Sequence, residues 1–253
     1  MAKIICLANQ KGGVGKTTST NAIAVGLKRK GFRVLCIDFD PQGNLSFSMN
    51  VDTESVPTIY QVIKKEIKCR FAIQHTELTD IIASNLFLSS MEVEFTGTGR
   101  EFLLRDCLKQ VSPFYDYILI DSPPELGVLT VNTFTAADFV LMPVLTDVYS
   151  LQGITRLCDT INHIKETLNS KLNFGGMFLV RFNIREELSR IVMQTAEMIS
   201  ENLDIPLLKT HIRSSVMIAK AQALQKDMMV FAPKNNAVRD YIHLVDELLE
   251  RGI

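Results

Sequence analysis

The chain has 253 residues, of which 47% are hydrophobic and 22% charged, and its formal net charge is −1 at pH 7. This is the composition of an ordinary globular protein, and its balanced charge excludes an overall attraction to nucleic acid or to anionic membranes. No apolar run approaches the roughly 18 residues of a membrane-spanning helix, and the N-terminal run is too short for a signal peptide, so we expect a cytoplasmic protein.

Predicted strands and helices alternate along the chain. An apolar run at 3–8 predicts a buried strand, and a glycine-rich turn leads from it into a helix at 16–30 with Gly31 in the position of a C-cap. The elements that follow are a strand at 33–37, a helix at 58–65, strands at 81–83 and 86–88, a helix at 99–111, strands at 116–120 and 139–144, a helix at 150–168, a strand at 176–181, and helices at 186–202, 215–225 and 236–251. This order predicts one doubly wound α/β domain over 1–253, with a mostly parallel sheet and helices on both faces.

The glycine-rich turn carries the strongest signal of function. Residues 9–17 read NQKGGVGKT, which keeps the GKT ending of the phosphate-loop pattern GxxxxGK[ST] but has Gln10 in place of the first glycine. Glycines let backbone N–H groups turn toward phosphate oxygens, and the helix N-terminus adds its positive dipole end. Because the pattern lies between a strand and a helix, it predicts an ATP-binding loop. The expected nucleotide contacts are Lys11, Gly12, Gly13, Val14, Gly15, Lys16, Thr17 and Thr18.

Aspartates follow two of the predicted strands. Asp121 comes directly after the apolar run at 117–120, in the position of a Walker B carboxylate, and Asp38 and Asp40 follow the strand at 33–37. The carboxyl ends of parallel strands meet at the edge where open α/β sheets bind ligands, so these side chains are expected beside the phosphate loop. Either Asp38 or Asp40 could orient a water for attack, and capping of a turn remains the alternative for each. The candidate Mg²⁺ ligands are Thr17, Asp38, Asp40 and Asp121.

The cysteines do not form a recognisable metal or disulfide pattern. The chain has five of them, scattered without a CxxC pair or nearby histidines. That spacing argues against a zinc site, and the odd number fits reduced thiols. We expect the cysteines to serve as small buried hydrophobic residues.

Three segments together resemble the ParA/Soj/MinD group of P-loop ATPases, and in particular the ParA/Soj plasmid and chromosome partition proteins. They are the loop KGGVGKTT at 11–18 with its early lysine, DFDPQGN at 38–44 and IDSPP at 120–124. The resemblance implies the P-loop NTPase fold, ATP and Mg²⁺ as cofactors, and an ATP-dependent homodimer in which Lys11 reaches the partner's nucleotide. It also implies slow hydrolysis supported by Lys11, Lys16 and Asp40. Without the resemblance, Lys11 is a cation beside a phosphate loop.

The part of the site that would hold the base is less clearly marked. The resemblance implies base contacts by Asn183 and Arg185, and it places Arg213 and Ser215 where the group usually has a Pro-x-Asn segment. A planar guanidinium can stack on a base, so Arg213 is a candidate for stacking on adenine. The alternative is a surface arginine.

The resemblance further implies that the ATP-bound dimer binds double-stranded DNA without sequence preference. Such a protein associates with the nucleoid and leaves DNA when a centromere-binding-type protein stimulates hydrolysis. Between 209 and 239 the chain has six Lys or Arg residues and one acid, Asp227, although Met217 stands where the group often has arginine. Scattered solvated lysines remain the alternative. The candidate DNA contacts are Lys209, Lys220, Lys226 and Lys234.

Other functions of the same ATPase group are also considered. A MinD-like protein positions proteins or membrane-associated complexes and carries a basic amphipathic C-terminal helix, whereas the helix here, within 241–253, is acidic, so no membrane partner is expected. Iron–sulfur relatives need paired cysteines, which this chain lacks. A scaffold in which ATP only holds a dimer together remains open.

Overall fold

The computed structural model describes the backbone of residues 1–253 and every side chain except those of 148–150 and 152. The described backbone forms one eight-stranded sheet. Its strands are β1 (Lys3–Leu7), β2 (Val34–Asp38), β3 (Ile73–His75), β4 (Asp80–Ile82), β5 (Tyr117–Asp121), β6 (Phe139–Leu145), β7 (Asn173–Phe182) and β8 (Ile212–Arg213). They lie in the order β3-β4-β2-β5-β1-β6-β7-β8, and all neighbours are parallel except the edge pair β3–β4. The predicted fold class is confirmed.

Helices cover both faces of this sheet. The α-helices are α1 (Lys16–Arg29), α2 (Asn44–Ser48), α3 (Ile59–Ile63), α4 (Met91–Glu94), α5 (Leu103–Leu108), α6 (Val128–Ala136), α7 (Val148–Thr167), α8 (Glu187–Leu203), α9 (Val216–Ala223), α10 (Met228–Phe231) and α11 (Asn236–Glu250). One buried cluster joins the sheet to α1, α9, α10 and α11, and the other joins it to α3, α5, α6, α7 and α8. Because both faces are covered, every residue of β2 and β5 is buried, as their continuous apolar sequences require.

The central strands bring three chain segments to one edge of the sheet. In the register of β1, β2 and β5, Asp121 lies beside Leu7 on one side and beside Asp38 on the other. The loop between β1 and α1 leaves the sheet at the same edge, where Leu7 ends its strand. Residues far apart in sequence therefore meet at the carboxyl ends of the strands.

The predicted strand at 86–88 is wrong. Leu86–Ser90 forms a short 3₁₀-helix, and the side chains of Leu86 and Phe87 are largely exposed. An apolar run predicts a strand only if its side chains are buried, and here two of the three point to solvent. The predicted helix at 99–111 also divides, into a 3₁₀ turn at Arg100–Phe102 followed by α5.

Sequence patterns did not reveal helix α6. Its sequence, VLTVNTFTA, is rich in β-branched residues, which have low helix propensity. The hydroxyls of Thr133 and Thr135 donate hydrogen bonds to the carbonyls of Leu129 and Val131, four residues earlier. These polar side chains are therefore accommodated within the buried helix. The five cysteines are free and buried, which confirms their predicted role as small core residues.

Candidate nucleotide site

The phosphate loop, defined here as residues 9–18, has the backbone conformation that its glycines predict. Gly13 and Gly15 have φ values of 74° and 83°, in the left-handed region where a side chain is unfavourable. Gly15 is the N-cap residue of α1 and has no side chain to bond the first N–H groups of the helix. Those groups are therefore available to an anion at the helix N-terminus.

Lys16 is a buried cation within this loop. Its ammonium Nζ donates hydrogen bonds to the carbonyl oxygens of Asn9 at 3.2 Å and Lys11 at 3.4 Å, so the loop folds around it. Burial lowers the pKa of Lys16, while the nearby carboxylates of Asp121, Asp40 and Glu125 oppose that shift. The loop thus holds a poorly solvated cation, which gains much from a phosphate partner.

Asp38 and Asp121 are fully buried, but their oxygens are used differently. Asp38 Oδ2 accepts hydrogen bonds from the backbone N–H and the hydroxyl of Ser46, at 2.8 and 2.7 Å, and thereby holds helix α2. Asp121 Oδ1 accepts from the Thr20 hydroxyl at 3.4 Å, whereas Oδ2 has no hydrogen-bond partner among the described residues. Burial raises the pKa of both carboxyls. Asp121 therefore has an oxygen free for a cation, and Asp38 has a shaping role.

A cavity of about 610 Å³, the phosphate cavity, opens beside these groups. Lys16, Thr17 and Asp40 line it, and burial raises the pKa of the Asp40 carboxyl. Among the described residues no group of three His, Cys, Asp or Glu side chains could hold a metal by itself. Mg²⁺ binds instead through one or two protein oxygens together with water and substrate phosphates. The Thr17 hydroxyl and the unpaired Oδ2 of Asp121 fit such a site.

Lys11 is held by a residue that the sequence analysis did not identify. Its ammonium contacts both carboxylate oxygens of Asp147, at 2.7 and 2.8 Å, and both side chains are partly exposed. Asp147 follows β6 by two residues, at the same sheet edge as Asp121. An acid shortly after a predicted strand was the available signal, since the same reasoning identified Asp38 and Asp40.

A second cavity of about 310 Å³, the base cavity, lies next to the first. Its apolar wall includes Val180, Ile212, Ile218 and Tyr241, which come from β7, β8, α9 and α11. Such walls suit the faces of a planar base. Ser215 also lines the cavity, and its hydroxyl accepts a hydrogen bond from the Met217 N–H at 3.1 Å as the N-cap of α9.

The other three predicted base contacts are either bound to another residue or lie outside the two cavities. Arg213 lines the base cavity, but its guanidinium is bound to Asp240, with Nε donating to Oδ2 at 2.8 Å. Asn183 and Arg185 are not among the residues that line either cavity, and the Asn183 side-chain amide donates to Glu186 at 2.8 Å. Base contacts by these residues stay predictions, and stacking by Arg213 would require it to leave Asp240.

Comparisons with known proteins agree with this geometry. The sequence profile of the AAA domain matches residues 2–174 of the chain. Over 255 residues the chain is 33% identical to the chromosome partitioning protein ParA of Myxococcus xanthus, with 99% of this chain and 89% of that protein covered. The chain belongs to the ParA/Soj family of P-loop ATPases.

Two further comparisons extend this assignment. The sporulation initiation inhibitor protein Soj of Bacillus subtilis is 33% identical over 256 residues, and the match spans 100% of both chains. Cobyrinic acid a,c-diamide synthase from Mycobacterium smegmatis, solved with an ATP analog and magnesium, superimposes with a TM-score of 0.87 at 28% identity, covering 100% of this chain and 96% of that one. The resemblance inferred from the phosphate loop and the two aspartate segments is therefore confirmed as membership of the ParA/Soj family.

The lysines expected to contact DNA in a ParA/Soj protein lie on several short segments. Lys209, Lys220, Lys226 and Lys234 are all exposed. The acid within this basic stretch, Asp227, is paired with Arg29 of α1 at 3.2 Å. DNA contact by these four lysines stays a prediction. Among the described residues no helix is long and apolar enough to cross a membrane.

Proposed function

We propose that this chain is a partition ATPase that binds Mg-ATP, dimerises on it, binds DNA without sequence preference and leaves DNA after partner-stimulated hydrolysis. The observation that carries the proposal is the combination of the phosphate loop with two buried strand-end carboxylates at one sheet edge. The partition function is supported by the full-length similarity to ParA and Soj. The ATP analog and magnesium of the synthase from Mycobacterium smegmatis support the cofactors.

The two cavities together suit one nucleoside triphosphate. They share Gly13, Gly15, Thr18, Arg181 and Gln222, so they are two parts of a single groove. An apolar end would take the base, and an end with a buried lysine and carboxylates would take the phosphates and Mg²⁺. Bound Mg-ATP supplies the phosphoryl group and its leaving group.

The chain's own residues then have distinct tasks in hydrolysis. Lys16 pairs with phosphate oxygens, and the N–H groups of the loop and of the first turn of α1 donate to the same oxygens. Thr17 and Asp121 hold the cation, and Asp38 fixes the position of α2 by bonding Ser46. Asp40 lines the phosphate cavity and would orient the attacking water.

Dimerisation gives Lys11 a role that one chain alone cannot provide. In the single chain its ammonium pairs with Asp147. To reach a partner's phosphates, Lys11 would leave Asp147 and pair with the partner's ATP, which carries more negative charge. There it would neutralise, in trans, the charge that develops on the phosphates during hydrolysis. Lys11→Ala should therefore leave ATP binding to the single chain within a few-fold and abolish the ATP-dependent dimer in sedimentation experiments.

The link from nucleotide to DNA is supported by helix α9. Gln222 of α9 accepts a hydrogen bond from the hydroxyl of Thr18 in the phosphate loop at 3.0 Å. Gln225, just after α9, donates to the carbonyl of Phe47, a residue that lines the phosphate cavity together with Asp40. Lys220 is exposed on the same helix. Contacts to both nucleotide-binding segments give α9 a route by which ATP could change the arrangement of the basic surface.

The MinD-like alternative is not favoured by the last helix. Tyr241, Leu244, Val245 and Leu248 of α11 are buried against α1 and the sheet, so the apolar face of this helix belongs to the core. A membrane-binding helix needs such a face free.

Fluorescence anisotropy with a nonspecific duplex would test the proposal. The unaltered chain should bind DNA with ATP and not with ADP or without nucleotide, and binding should weaken steeply between roughly 50 and 200 mM salt. A Lys220→Gln, Lys226→Gln double variant should lose DNA affinity and retain ATPase activity. A Lys165→Gln, Lys171→Gln double variant, which removes two lysines outside the 209–239 stretch, serves as the charge-matched control. DNA binding that is equal in all nucleotide states would refute the switch.

A further inference from the structure

Arg181 has an unusual backbone conformation at the end of β7. Its φ is 56°, in the left-handed region that non-glycine residues seldom occupy. The register between β7 and β8 shifts there, because Val180 pairs with Ile212 and Phe182 with Arg213, which leaves Arg181 as the extra residue of a bulge. The Thr146 hydroxyl donates to the Arg181 carbonyl at 3.1 Å and fixes the bulge to the end of β6. Bulges of this kind redirect a side chain, often beside a binding site.

The bulge places Arg181 where the two cavities meet. Arg181 lines both the base cavity and the phosphate cavity, as do Gly13 and Gly15 of the phosphate loop and Gln222 of α9. In a bound nucleotide, the ribose and the α-phosphate lie between the base and the terminal phosphates. The groove therefore brings Arg181 next to the phosphate nearest the base.

The guanidinium of Arg181 also differs from that of its neighbour Arg213. Arg213 forms an ion pair with Asp240 and a further hydrogen bond to the Asn236 carbonyl. The Arg181 side chain is exposed and forms no hydrogen bond or ion pair with the residues whose side chains are described. Of the two arginines lining the base cavity, Arg181 is thus the one whose donors are available to a ligand.

We propose that Arg181 is a nucleotide-binding residue whose guanidinium pairs with the α-phosphate of the bound nucleotide. This inference rests on the proposed function, because it takes the groove to be a nucleotide site. The strain of a left-handed arginine at the groove supports it, since such conformations persist where the surroundings require a side chain in that place. The phosphate loop and Lys16 account for the terminal phosphates, and Arg181 adds the cation near the base.

Competition against a fluorescent ATP analogue would test the pairing with four ligands: ATP, ADP, AMP and adenosine. Arg181→Met should weaken ATP, ADP and AMP by the same factor of about ten, because all three carry the α-phosphate, and leave adenosine unchanged. Arg181→Lys keeps the charge and should restore most of the loss. Arg190→Met is the matched control, since Arg190 is an exposed arginine on α8 that is not among the residues lining either cavity. Circular dichroism confirms that each variant is folded.

The outcomes separate this inference from the proposed function. Equal affinities of the Arg181→Met and Arg190→Met variants for ATP would overturn the role of Arg181 and leave the ATP site standing. An equal loss for adenosine and ATP would overturn the phosphate pairing, because it would place the contact on the base or the ribose. If the unaltered chain bound no ATP, the nucleotide site itself would be refuted, and the role of Arg181 with it.

Discussion

The two ends of the nucleotide groove are built in different ways. The phosphate end consists of one continuous loop, residues 9–18, with aspartates from the ends of two neighbouring strands. The base end collects apolar side chains from β7, β8, α9 and α11, spread over more than 60 positions from Val180 to Tyr241. Anion binding by backbone N–H groups needs one fixed local conformation, whereas a base needs flat apolar walls that many residue types provide.

The charged groups of the two ends also differ in burial. Lys16, Asp38 and Asp121 are nearly or fully inaccessible, whereas Arg181 is exposed and the Arg213 side chain is 49% exposed. Charge interactions weaken in water and strengthen where water is excluded. Substitutions at the phosphate end should therefore have large effects on nucleotide chemistry, and those at the base end smaller ones.

The largest effect is expected for Lys16→Ala. The variant removes the buried cation of the phosphate loop, and ATP affinity in isothermal titration should fall by more than about 100-fold, since charge-assisted contacts of this kind contribute several kcal/mol. Lys28→Ala is the control, because Lys28 lies on the same helix but donates to the carbonyls of Thr76 and Glu77 away from the groove. If Lys16→Ala still bound ATP tightly, substitutions at the phosphate end would not have the larger effects that burial of its charges predicts.

This contrast explains which features the sequence could predict. The meeting of the phosphate loop with Asp38, Asp40 and Asp121 at one sheet edge was predicted, because the motif sets local backbone geometry and because strand ends converge in a parallel sheet. Asp147 has the same local signal, an acid shortly after a predicted strand, and was missed because that signal was followed only at the other two strand ends. The ion pair of Arg213 with Asp240 and the bulge at Arg181 depend on the packing of β7, β8 and α11, and no short-range pattern encodes that packing. The run at 86–88, of which only Leu88 is buried, was mispredicted for the same reason.

Asp40→Ala should separate binding from turnover at the phosphate end. Asp40 lines the cavity, and its backbone N–H donates to Asp38 Oδ1 at 3.3 Å, a bond that the substitution keeps, although the bond from the Gln42 N–H to Asp40 Oδ1 is lost. We expect ATP affinity to change by less than about three-fold while hydrolysis falls by about 100-fold or more. Phosphate release under single-turnover conditions measures the effect. Asp52→Ala removes an exposed carboxylate outside both cavities and serves as the control. Unchanged hydrolysis would assign the catalytic role to another residue.

Arg213→Met should act mainly on stability. The substitution leaves the Asp240 carboxylate, whose side chain is only 9% exposed, with the Arg213 backbone N–H as its remaining donor. Urea denaturation should show a loss of about 1–2 kcal/mol in the free energy of unfolding. ATP affinity should change by less than about three-fold if the guanidinium does not contact the base. A tenfold loss of ATP affinity in a variant that is still folded would restore the prediction that Arg213 stacks on adenine.

The smallest effect is expected for Tyr241→Phe, beneath the base cavity. The Tyr241 hydroxyl is buried and forms a hydrogen bond with the Ser19 hydroxyl at 2.9 Å, which joins α11 to α1. Burial raises the pKa of Tyr241 to about 12, so the phenol stays protonated at neutral pH. Removing the hydroxyl should lower the free energy of unfolding by about 1 kcal/mol and leave ATP affinity unchanged.

Urea denaturation at constant m-value measures this loss, and a double variant shows whether it arises from the hydrogen bond. If the two hydroxyls bond each other, Ser19→Ala with Tyr241→Phe should cost less than the sum of the single variants, because each single change leaves one buried hydroxyl unpaired. Tyr60→Phe is the control, since its hydroxyl bonds Glu94 at the exposed surface. Additive losses would mean that the hydrogen bond between the two hydroxyls contributes nothing measurable to stability.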